Sequence, residues 1–248
     1  MARRLERFGW VLLLVLVVAA FSRTIPFGLS NDDYFLVRPW STRAVLNTFH
    51  GQFDQLDYDQ KYFRPLSSLS FATEWHVWGT NRWGYHLTNI AIHSGVVVAL
   101  WSVLRRLRVA WWAALTGAAY FAVVPSNVAA VVYIAERTDA IVGLCICCIL
   151  WCVVRFSDSK AIKWLAVASA LYVVALLSKE VATATVPFVG VFWLYLGIER
   201  HEPRPPTESG FDGVLAHWSK EAQIIGRSVV DRSARWLTVL APFVVITV

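Results

Sequence analysis

The sequence predicts an all-α, polytopic integral membrane protein with about seven transmembrane helices and a further helix on the outer membrane surface. Three observations carry this. The 248 residues are 57% hydrophobic and only 16% charged, with a mean hydropathy of +0.51, whereas a soluble domain is nearer half apolar and a quarter charged. Apolar stretches suited to a hydrocarbon core of about 30 Å recur along the chain. Basic residues gather on alternate turns between them. Disorder is excluded, because it needs low hydrophobicity and high net charge. The net charge of +6 does not point to nucleic acid, since so little polar surface remains to carry it.

The apolar stretches lie at about 8–22, 84–104, 109–125, 139–156, 164–179, 181–198 and 235–248. The first follows Arg3, Arg4 and Arg7 like a signal sequence, but Phe21-Ser22-Arg23 makes a poor cleavage site, so we read a retained anchor. Residues 65–80 open on Pro65 and are rich in Trp, which suits a helix at the outer surface. Cys145, Cys147, Cys148 and Cys152 crowd into one apolar run and read as small helix residues rather than a disulfide or zinc framework. Residues 199–213 read as a polar inside loop, and an amphipathic stretch follows at 214–230. The organisation expected is a transmembrane core over 1–198, an inside segment over 199–234, and the start of a further span over 235–248. That last stretch is still apolar at Val248, which suggests a fragment of a longer protein.

Placing the N-terminus inside puts most of the 23 basic residues on inside turns, among them Arg105, Arg106, Arg108, Arg155, Lys160 and Lys163. With this sidedness, five polar clusters fall at the outer ends of the spans. They are Asn31-Asp32-Asp33, Arg64 ahead of Pro65, the His86/Asn89/His93 face, Glu136-Arg137-Thr138-Asp139, and Ser178-Lys179-Glu180. His86, Asn89 and His93 share one helical face by their spacing. Ionisable groups near a bilayer are costly and are therefore functional candidates. A carboxylate there can take a proton from an acceptor hydroxyl. Arg and Lys can hold a phosphate leaving group, the first by a fork and the second as a point charge. This chemistry suits a lipid-linked phosphosugar.

The strings Tyr62-Phe63-Arg64-Pro65-Leu66, Ser70-Phe71, Trp78-Gly79 and Gly84-Tyr85-His86-Leu87-Thr88-Asn89, with His93 beyond, resemble a signature of the glycosyltransferase-C superfamily. The likeness is to the branch of transmembrane O-mannosyltransferases with tetratricopeptide tails and their bacterial relatives. Asp32-Asp33 resembles that family's acidic pair, Ile134 to Asp139 its Arg-containing motif, and Leu177-Ser178-Lys179-Glu180 its Ser-Lys-Glu motif. The resemblance implies transfer of a sugar, with inversion, from a polyprenyl-phosphate donor to an acceptor protein or glycan. It implies Asp32 or Asp33 as general base and Arg137, Lys179 and Arg64 on the donor phosphate. His86, Asn89, His93, Asp139 and Glu180 would shape the pocket. Some family members use a divalent metal, so Mg²⁺ or Mn²⁺ on Asp32 and Asp33 is the cofactor to test. The chain departs from the family at Val124, where His is usual, and at Ala129, where an acidic residue is usual. A non-catalytic scaffold of the same fold and a transporter of lipid-linked sugars are the alternatives. A bacterial cytoplasmic membrane is the expected location.

Overall fold

Each of the first six apolar stretches forms a helix. The computed structural model describes residues 2–50, 62–199 and 239–246, and the positions 219, 222–223, 226–227 and 230. Helices α1 (Ala2–Phe21), α2 (Asp33–Leu36), α3 (Thr42–Asn47), α4 (Pro65–Trp78) and α5 (Arg82–Arg106) come first. They are followed by α6 (Trp111–Val123), α7 (Val128–Val132), α8 (Arg137–Ser159), α9 (Lys163–Leu176) and α10 (Thr185–Glu199). Residues 239–246 are also helical, and no strand occurs among the described residues. The chain is an all-α integral membrane protein. Helices α5 and α8 are each long and apolar enough to cross a membrane. A third candidate joins α6 to Pro125–Val132 through a 51° bend, while the other apolar helices are shorter. The expected inside loop and amphipathic stretch lie almost wholly outside the described residues.

Local chemistry sets the helix ends. Pro65 starts α4, where its missing N–H costs nothing. Gly79 turns the chain out of α4 at φ 54°, a left-handed value that glycine adopts freely, and its N–H returns to the Trp75 carbonyl. The Asn81 side chain then caps α5 by accepting from Trp83 N–H. At the far end, Lys160 closes α8 in the left-handed conformation.

Helices α5 and α8 run in the same direction. Asn89 meets Arg137 near their starts, and Arg106 meets Asp158 near their ends. The core around α8 gathers Ile149 and Val153 with Leu165, Ala168 and Tyr172 of α9. Helix α1 packs Leu13, Val17 and Phe21 against Ile90 and Val97 of α5 and Ala118 and Ala122 of α6. Ala114, Ala118 and Ala122 recur every four residues and are fully buried, a small-residue seam that lets helix backbones approach closely.

Pro125 breaks α6 and cannot donate to the Phe121 carbonyl. That carbonyl instead accepts from Asn127 Nδ2 at 2.7 Å. The next carbonyl, of Ala122, lies 2.9 Å from His93 Nε2. The His93 ring sits between Phe21 and Phe121, at centroid distances of 5.5 and 6.1 Å. His93 is thus a clasp on the broken helix.

The α4–α5 turn packs tightly as well. A Cβ on Gly84 would stand 2.1 Å from the Trp78 ring. Gly84→Ala is therefore expected to displace Trp78 and lower stability by about 1–3 kcal/mol, the usual cost of overpacking. Thermal unfolding in detergent would measure it, and an unchanged midpoint would mean that Trp78 swings away freely.

Candidate active site

Arg137 is the first residue of α8 and is fully buried, with 0% exposure. Three elements meet on it. Its Nη1 donates to Glu74 of α4, its Nε to Asn89 Oδ1 at 3.0 Å, and its Nη2 to the Tyr85 carbonyl at 3.3 Å. The guanidinium also lies 4.5 Å over the Phe71 ring. All three nitrogens are engaged, which is how a buried charge offsets its loss of water. Asn89 extends the network by donating to the Val131 and Tyr133 carbonyls at 3.3 and 3.0 Å. In this arrangement Arg137 presents no free edge to a phosphate.

The acidic pair divides. Asp33 opens α2 and is 1% exposed. Its Oδ1 accepts from Ala135 N–H at 2.8 Å and its Oδ2 from Ser30 N–H at 3.0 Å. Burial pushes its carboxyl above the ordinary aspartate value, with those two donors pulling the other way. Asp32 is exposed, and its carboxylate has no hydrogen-bond partner among the described residues. The backbone turns between them, so the neighbours face different surroundings.

A second set of contacts ties the start of α4 to the turn after α9. Leu66 N–H donates to the Leu177 carbonyl at 3.0 Å, and Ser67 Oγ to the Ser178 carbonyl at 2.9 Å. Arg64 holds Glu180 by a fork, with Nε–Oε2 at 2.9 Å and Nη2–Oε1 at 2.5 Å. Lys179 reaches both oxygens of Asp139 at 2.8 Å and Glu136 at 3.6 Å. Burial, with the neighbouring Asp139, pushes Glu136 above the ordinary glutamate value, against the pull of Lys179. Residues 133–139 therefore link the first loop, through Ala135 and Asp33, to Lys179.

Glu74 escaped the sequence reading. Its only sequence signal was a single carboxylate, between Thr73 and Trp75, in a segment read as a surface helix. Its second oxygen and Thr138 Oγ1 are buried without hydrogen-bond partners among the described residues. His86, Asn89 and His93 share a face of α5 but do different work, since Asn89 serves Arg137, His93 serves α6 and His86 is buried beside the Phe27 backbone and Asp33. The acidic pair does not fit a metal site: Asp33 is spent on backbone donors and Asp32 stands apart. Nor does any group of three potential ligands occur among the described residues.

Residues 65–204, more than half of the chain, match the family described as dolichyl-phosphate-mannose-protein mannosyltransferase. The chain belongs to this family. It is 30% identical over 132 residues to protein O-mannosyl-transferase TMTC2 of Homo sapiens, a stretch covering 53% of this chain and 16% of that protein. It is 30% identical over 131 residues to protein O-mannosyl-transferase Tmtc1 of Drosophila melanogaster, covering 49% and 14%. The chain thus matches about a sixth of the length of these relatives. No solved structure matches it. The relatives named here are animal proteins, and none supports the expected bacterial membrane. Within the mannosyltransferase match fall Glu74, Asn89, Arg137, Asp139 and Lys179, while the acidic pair precedes it.

Glu74→Ala would leave Arg137 as a buried, uncompensated charge, at a cost of about 3–5 kcal/mol. Adding Arg137→Met should recover much of that loss, because an apolar pair tolerates burial. Chemical unfolding of the single and double variants would check this; a double variant no better than the single would mean that Arg137 holds the fold through Asn89 and Tyr85 instead.

Proposed function

We propose that the chain is the membrane-embedded catalytic part of a glycosyltransferase that moves a sugar from a polyprenyl-phosphate donor to an acceptor hydroxyl. The names of the family and of its relatives favour mannose as the sugar, dolichyl phosphate as its carrier and a protein as acceptor. The observation that carries the proposal is the continuous linkage of Asp33, Ala135, Glu136, Asp139 and Lys179 beside an exposed Asp32. In our reading the bundle has about seven spans, its N-terminus is inside, and this end, with α4 along the surface, faces outward.

Asp32 is the base. It takes the acceptor proton as the hydroxyl oxygen bonds to the anomeric carbon and the bond from that carbon to the phosphate oxygen breaks, with inversion. Asp33 is a positioning residue that holds the loop to Ala135. Lys179 and Arg64 neutralise the departing phosphate by exchanging it for Glu136 and Glu180, their more exposed partners. Asp139 keeps Lys179 in place. Arg137 leaves the expected phosphate role and becomes the anchor of the wall, and His86 supplies a polar lining. An apolar groove of about 590 Å³ begins at Leu87, beside His86 in the chain, and continues past Val18, Ile90, Gly95 and Trp10. It offers the donor's lipid tail a path between α1 and α5.

A non-catalytic scaffold is favoured by one observation, the full engagement of Arg137. Transfer of labelled sugar from membrane-embedded donor separates the readings. Asp32→Asn should lower transfer by about a hundredfold or more, the usual contribution of a general base, with insertion and unfolding midpoint unchanged. Asp33→Asn should lower stability and transfer together. Transfer that survives Asp32→Asn would remove that residue as base, and no transfer from the native chain, once inserted and supplied with acceptor, would favour the scaffold.

A further inference from the structure

The opposite end of the bundle carries a second charged cluster that sugar transfer does not use. Arg155, about a turn before the end of α8, has its guanidinium 5.4 Å from the centre of the Trp151 ring and 4.7 Å from that of Trp164. The two indoles meet edge to face at 5.4 Å. Lys163, the first residue of α9, lies 5.4 Å from the same Trp164 ring. Two cations therefore share one indole.

Neither has a carboxylate partner among the described residues. Asp158, the nearby acid in sequence, is paired with Arg106 at 2.8 Å. The Nε of Arg155 is buried without an acceptor among the described residues. Aromatic faces compensate part of this charge, yet rings accept no fork of hydrogen bonds. A phosphate would complete the set, taking N–H donors from Arg155 and charge from Lys163.

The neighbouring surface says where that phosphate comes from. Ile162 is 69% exposed and Val167 45% exposed, on the first turns of α9 next to Lys163. Apolar side chains facing outward beside cations suit an acyl chain continuing from a headgroup, whereas a dissolved anion has no use for them. Trp164 is the second residue of α9, and Trp at the end of an apolar helix marks headgroup depth. We propose that Arg155, Lys163, Trp151 and Trp164 form a binding site for the phosphate of an anionic membrane lipid. It lies at the end of the bundle away from the carboxylates and serves to hold the α8–α9 turn at the membrane surface.

The test counts lipids retained by the full chain in native mass spectrometry, from detergent containing equal phosphatidylglycerol and phosphatidylcholine. The native chain should retain phosphatidylglycerol preferentially. Lys163→Gln, a change at an exposed position that leaves packing alone, should reduce that preference about fivefold, the order expected of one basic residue at an anionic surface. Arg155→Gln with Lys163→Gln should abolish it, and Arg43→Gln in α3, also exposed, should change nothing. Equal retention of the two lipids by the native chain would overturn the proposal, as would a preference undiminished in Lys163→Gln. Release of the bound lipid by inorganic phosphate alone would mark a site for soluble anions and overturn it too.

Discussion

A single buried ion pair organises one end of this bundle. Arg137 begins the longest run of α8, and it can be there, at zero exposure, only because Glu74 brings a charge from α4. The pair is expensive to desolvate, so its gain lies less in net stability than in specificity. Three elements must be in register for the guanidinium to be satisfied: α4 through Glu74, α5 through Asn89 and Tyr85, and the 131–135 segment through the carbonyls that Asn89 holds. The Asp33 carboxylate then closes on Ala135 in that same segment. Shifting α8 by one residue would break all the contacts of the Arg137 guanidinium at once.

This explains why so many polar side chains occur at one end while the bundle's remaining described core is apolar. In lipid, helices gain little from burying apolar surface against each other, and hydrogen bonds and close backbone contacts supply the specificity. The chain uses both. The alanine seam of α6 lets α1 and α5 come close, and the Glu74–Arg137–Asn89 network sets their height. Ser67 and Leu66, bonded to the turn after α9, carry the same registration across to α9 and α10.

The helices were legible in the sequence because a membrane span is written in composition, and each of the first six apolar runs became a helix within a few residues. Charge spacing singled out Arg64, Glu180, Lys179 and Asp139, and the structure pairs Arg64 with Glu180 and Lys179 with Asp139. Individual roles were not legible. Asp32 and Asp33 look equivalent on paper, yet one turn of backbone buries the second and exposes the first. Residues of one helical face also diverged, since His86 and His93 lie two turns apart and meet different neighbours. Glu74 was invisible for another reason: its partner is 63 residues away, and no local pattern encodes a pairing over that distance. Helix length and composition alone mark two or three spans among the described residues, because α6 and α9 are short and a hydropathy run does not show where Pro125 or a turn cuts the helix.

The broken helix also bears on what kind of machine this is. A transporter built on discontinuous helices needs freed carbonyls and half-helix ends open to its cargo near the bilayer midplane. Here two carbonyls at the break before Pro125 are taken by side chains, Phe121 by Asn127 and Ala122 by His93. The two long helices, α5 and α8, run unbroken from the carboxylate end to the basic end. Neither offers a midplane site, and their charged residues lie near their termini. A fixed frame with a polar end suits chemistry on a lipid-borne substrate that presents its head at the surface while its tail stays in the bilayer.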